Sequence, residues 1–203
     1  MASGCTMSWR RLLCFALMAT GLLTSGLPAE PAPEAYSVDA VKAAYLVNFI
    51  RFTEWPADSV GETDTPLVIG VAGSRELEDY LWKSTDGKLL HGRKVRILRL
   101  VDPSDAIQCH LIYINPTPSR ADAVPVSTGE WLQAVKGKPV LTVSLLNNFL
   151  KQGGIINFYT EGKNLHFEIS ADAAEAAGLK LSSRLLALAR VVRTGATPAA
   201  PPR

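Results

Sequence analysis

Any nucleophilic or metal chemistry in this chain would have to start from few residues. The histidines are His91, His110 and His166. His166 and Glu168 stand two apart in LHFEIS, a strand pattern, so both leave one face and could touch a metal ion. Neither has a second histidine or a cysteine at ligand spacing, and two such groups on an exposed strand read as a solvated face. Ser144 follows a strand-like run, with no evident base. The segment GVAGS, residues 70–74, outlines a phosphate-binding turn but lacks the full GxGxxG and the P-loop lysine, so a plain strand-to-helix turn is the reading. GxSxG, HExxH and CxxC are absent. Catalytic groups are assembled in space rather than along the chain, but no residue here gives a positive reason to propose them. The expectation is a non-enzymatic protein without metal or cofactor.

The run AYLVNFIRFTEWP, residues 44–56, offers binding chemistry instead. Tyr45, Phe49, Phe52 and Trp55 crowd around Asn48 and stop at Pro56. Helical spacing puts Val41, Ala44, Tyr45, Asn48 and Phe52 on one face, with Ala43, Leu46, Val47 and Ile50 on the adjoining side. Lys42 and Arg51 are the only charges from Val41 to Thr53, so this helix needs cover on more than one side. An asparagine on such a face must satisfy its amide, and a backbone partner at the helix–sheet junction is expected for Asn48.

The elements that would position these residues follow in order. Ser37 is a candidate N-cap for a helix from about Val38 to Thr53, ended by Pro56. PLVIGVAG, residues 66–73, reads as a buried strand, and Ser74 to Lys83 as a capped amphipathic helix. Further strands fall at Lys94 to Leu100, Cys109 to Asn115 and Pro139 to Leu145, with a helix around Thr128 to Val135. IINFYT and LHFEIS flank the turn EGKN as a β-hairpin. Ser170 caps ADAAEAAG, and a last helix follows with Ser182 or Ser183 as its N-cap and Leu185, Leu186, Leu188, Ala189 and Val192 as its stripe. The fold class is therefore α/β: a single domain with a mostly parallel central sheet, a C-terminal β-hairpin and flanking helices.

The ends read differently. Arg10 and Arg11, the apolar run Leu12 to Leu23 and small residues before Ala29 form a signal-peptide pattern. Cleavage is expected near Ala29, with the site after Gly26 and an uncleaved anchor as alternatives. The organisation expected is 1–29 signal peptide, 30–36 linker, 37–193 domain and 194–203 disordered tail. Removing residues 1–29 takes two of the 21 basic residues and none of the 19 acidic ones. The near-neutral remainder gives no electrostatic case for nucleic acid. Cys5 and Cys14 leave with the signal, so Cys109 is alone, and beside an apolar run it reads as a buried, inert thiol. Cross-linking of a homodimer through it would require exposure.

Three segments in order resemble the YfiR-like family of exported bacterial regulators: residues 41–56, VKAAYLVNFIRFTEWP; residues 153–170, GGIINFYTEGKNLHFEIS; and residues 176–192, AAGLKLSSRLLALARVV. With the weaker middle region the likeness runs from about Ser37 to Val192. The resemblance implies a periplasmic α/β domain that represses a membrane diguanylate cyclase through the cyclase's periplasmic sensor part. It further implies relief of repression by an outer-membrane lipoprotein, and an output in cyclic-di-GMP and biofilm behaviour. Relatives fused to sensor kinases or cyclases imply an alternative, a small-molecule-binding module feeding a membrane sensor kinase or cyclase. The regulators carry two disulfides; with Cys109 unpartnered, redox control by an internal disulfide does not carry over.

The resemblance also places the end of the first helix near the start of the last. In this chain that brings Phe52, Glu54 and Trp55 near Lys180 and Ser182 as the partner- or ligand-binding residues. Relatives hold small aromatic metabolites there, but the matching positions here differ chemically. Aromatic planes beside a lysine and a carboxylate suit a small ligand or a partner side chain. The competing role has Trp55 closing the edge of the core while Glu54 and Lys180 pair on the surface.

Overall fold

Ser37 opens the first helix, its Oγ accepting from the Asp39 N–H at 3.3 Å. This helix, α1 (Val38–Arg51), belongs to a computed structural model that describes residues 37–62, 64–115 and 126–193. The expected signal peptide, linker and tail lie outside the described residues. Helix α1 buries Ala43, Leu46, Val47, Phe49 and Ile50. That is largely the face taken above as the adjoining one, since Tyr45, Asn48 and Phe52 are only half-buried and Ala44 is exposed. A helix apolar nearly all round gives no sharp stripe, so the bulk of Leu46, Phe49 and Ile50 against the sheet decides its rotation. Asn48 is a second correction: its half-exposed amide has no backbone partner among the described residues.

The helix ends at Arg51, two residues before expectation. Thr53 donates its hydroxyl to the Phe49 carbonyl at 2.7 Å, and the chain then extends as strand β1 (Thr53–Glu54). Strand β2 (Leu67–Ala72) is buried along its length, as expected of a central parallel strand. Gly73 in the left-handed region turns the chain, and Ser74 caps α2 (Arg75–Thr85) by accepting from the Leu77 N–H. Strands β3 (Leu89–Leu90), β4 (Arg93–Leu100), β5 (Leu111–Ile114) and β6 (Leu141–Ser144) follow, with α3 (Thr128–Ala134) between the last two. A reciprocal Ser127–Glu130 capping box opens α3.

Strands β7 (Ile156–Glu161) and β8 (Asn164–Ser170) pair antiparallel, and α4 (Ala171–Ala176) starts on Ser170. Strand β9 (Lys180–Leu181), α5 (Ser183–Leu188) and β10 (Arg190–Val192) complete the described chain. The eight-stranded sheet has the order β10-β8-β7-β6-β5-β2-β4-β3. All neighbours run parallel except β7–β8 and β3–β4.

The expected long last helix is thus only α5. Ala189 is extended, and Arg190 to Val192 pair parallel with Glu168 to Ser170. Two consecutive valines favour a strand, and Arg190 is held by Glu168 at 2.6 Å and by stacking over Tyr159.

Each sheet face carries its own apolar layer. Helix α1 packs on the first, where Phe49 meets Phe158 and Phe167 with ring centres 5.6 and 5.0 Å apart. The second layer gathers Leu100, Ala106, Cys109, Ile112, Trp131 and Phe149. Gly70 is required there: a Cβ would meet Leu100 Cδ1 at 2.5 Å and Cys109 Sγ at 2.8 Å.

Candidate functional site

The segments carrying the five expected site residues meet outside the main sheet. Strands β1 and β9 form a separate two-stranded antiparallel pair, with Thr53 opposite Leu181 and Glu54 opposite Lys180. The Ser182 N–H extends it by donating to the Phe52 carbonyl at 2.9 Å. Gly178 makes this approach possible, because its positive φ reverses the chain after α4 with its α-carbon facing the Pro56 ring.

The five side chains have separate tasks. Phe52 is half-buried against the first apolar layer. Ser182 spends its hydroxyl on the Leu185 N–H and so caps α5. Glu54 and Lys180 are both exposed and lie across from each other, without an ion pair between them among the described residues. Trp55 is half-buried, and its indole N–H donates to the His110 carbonyl at 3.3 Å.

His110 is the site residue that sequence reasoning missed. It precedes β5, is 8% exposed, and stands edge-on to Trp55 with ring centres 6.0 Å apart. Its Nδ1 accepts the Val68 N–H at 3.1 Å, which puts the proton on Nε2. That Nε2 is buried without a hydrogen-bond partner among the described residues. Burial first, and the Arg93 charge second, hold the pKa of His110 below its ordinary value. Arg93 gathers the segment after Trp55, its guanidinium donating to the carbonyls of Val60, Gly61, Glu62 and Thr65. An isolated histidine and arginine carry no sequence signal for these contacts, because their partners are distant in the chain.

The other candidates for chemistry are engaged elsewhere. Ser144 is buried and donates to the Ile114 carbonyl at 2.7 Å. His166 stacks on Tyr159, while Glu168 holds Arg190. Among the described residues no group of three or more His, Cys, Asp or Glu side chains could hold a metal ion. No helix among them is long and apolar enough to cross a membrane. Cys109 is buried and free, and burial pushes its thiol up to about 12. One cavity beside Trp82 and one between α3 and α4 include none of the five site residues.

Comparison with known proteins adds three findings. No curated protein matches the chain. The crystal structure of a conserved domain protein from Vibrio cholerae O1 biovar eltor matches with a TM-score of 0.50 and 14% identity, over 76% of this chain and 60% of that one. At that identity the likeness concerns the fold alone. A family model described as YfiR/HmsC-like matches residues 39–190.

Proposed function

The chain belongs to the YfiR/HmsC-like family, and we propose on that footing that it is a periplasmic, non-enzymatic regulator. It binds and represses the periplasmic sensor part of a membrane diguanylate cyclase, and an outer-membrane lipoprotein relieves the repression by sequestering it. The contact is made by Phe52, Glu54, Trp55, Lys180 and Ser182. One observation carries this reading. An exposed acid and an exposed base lie opposite each other, unpaired among the described residues, on a small sheet that uses its own backbone bonds and beside a half-exposed indole. Charges left free on a surface suit a macromolecular partner with opposite charges, which gives orientation and specificity.

The test is genetic and quantitative. Cells lacking the gene should contain more cyclic-di-GMP, and the wild-type gene should restore the lower level. Lys180→Glu changes an exposed side chain, so the protein should fold normally but fail to restore repression. An unchanged or lowered cyclic-di-GMP level in the deletion strain overturns the repressor reading. Full restoration by Lys180→Glu keeps the regulator and rejects the contact surface.

A further inference from the structure

A second surface lies at the far edge of the sheet from β10. Strand β4 is bonded to β2 along Val95–Leu100, but β3 covers only Arg93 and Lys94 on its other side. Past Lys94 the outer edge of β4 has no strand partner among the described residues. An open edge carries unpaired backbone donors and acceptors and is a template for another strand. Beside it runs a groove of about 330 Å³ whose walls include Trp82, Leu89, Val95 and Ile97. Trp82 is 60% exposed and Leu89 61%. Large side chains left this open next to a free edge offer an anchoring place for one apolar side chain.

Charge selects the occupant. The strand reads RKVRILRL from Arg93 to Leu100, with four cations in eight residues. Arg93 is engaged by backbone carbonyls, and Arg99 is bound by Glu78 at 2.9 Å. Arg96 is exposed and, among the described residues, donates only to the Gln108 amide oxygen at 3.4 Å. Lys88 and Lys94 line the groove with no carboxylate partner among the described residues, and Asp86 is the one acid there. A second copy of this edge would set cations against cations, which opposes self-pairing. Cations also blunt an edge against apolar strands. An acidic strand is left as the complementary one.

We propose that the outer edge of β4 docks an extended segment of a partner protein in which acidic and apolar residues alternate. The segment adds beside β4 past Lys94, sets one apolar side chain against Trp82 and Leu89, and offers carboxylates to Lys88, Lys94 and Arg96. This surface is independent of the Trp55 site, so either can fail without the other.

The experiment uses the purified full chain and two labelled synthetic peptides, one alternating glutamate with valine and one alternating lysine with valine. The acidic peptide should bind saturably, lose affinity with added salt, and slow hydrogen exchange at backbone amides within Val95–Arg99. Trp82→Ala, at an exposed position, should weaken it about tenfold. Equal binding of both peptides overturns the proposal. So does binding without protection of those amides, or affinity unchanged by Trp82→Ala. A solution dimer that Arg96→Glu dissociates would make the occupant a second copy and overturn it as well.

Discussion

The His110 ring holds the Val68 N–H only while it is neutral. Its Nδ1 must stay unprotonated to accept the Val68 N–H. Burial, aided by Arg93, lowers the folded pKa below the ordinary 6.5. Below that pH the unfolded chain takes up a proton that the folded chain resists, so folding stability is full above it and declines as the pH falls. Urea midpoints at about pH 7.5 and about pH 5.5 should therefore differ, with the acid value lower. His110→Asn, whose side-chain oxygen can stand in for Nδ1, should remove part of that difference; an undiminished difference places the titration elsewhere. Cys109 is predicted inert for a related reason, because burial raises its thiol to about 12 and leaves almost no thiolate at neutral pH. Alkylation at about pH 8, mapped by mass spectrometry, should be slow at Cys109 in the folded protein and rapid in urea. Rapid labelling of the folded protein, or a dimer cross-linked at Cys109, would contradict this.

Short elements decide how the candidate site is built. Ser182 caps α5 with its side chain and extends the β1–β9 pair with its N–H, so one residue fixes both the helix and the turn that brings Lys180 opposite Glu54. Ser182→Ala should cost about 1 kcal/mol in urea unfolding, and Ser182→Asp should keep most of it. A loss within error for Ser182→Ala would mean that the cap adds little to the fold. These elements also mark where the sequence could be read. The buried run of β2 and the caps at Ser37, Ser74, Ser170 and Ser182 carry local signals, and the structure uses each of them. Strands β1 and β9 have two residues each, too few for any period, and pair only through distant contacts. Arg190–Val192 continued an apparent helical stripe, and only the free edge of β8 turned it into a strand. The five site residues came from the family resemblance rather than from spacing, while His110 and Arg93 could be found only in three dimensions.

At the scale of the molecule, the candidate site stands at the end of the sheet where small ligands are not usually held. Open α/β sheets bind them beyond the carboxyl ends of their strands. Trp55 is tied instead to the amino end of β5, where His110 also receives the Leu141 N–H and gives its own N–H to the Val68 carbonyl. The ring of His110 stands edge-on to the indole. On the proposed reading a protein partner closes over Trp55, Glu54 and Lys180 together. Ligand binding at 100 times Kd would stabilise the fold by about 2.7 kcal/mol. For a domain of this size that amounts to a rise in Tm of roughly 5–10 °C. A millimolar panel of aromatic and acidic metabolites should move Tm by less than about 1 °C. If the proposed function holds, the purified sensor domain of the cyclase it represses should raise it, and Trp55→Ala should abolish that rise. A metabolite that shifts Tm by several degrees in the wild type but not in Trp55→Ala would turn the site from a docking surface into a small-molecule sensor.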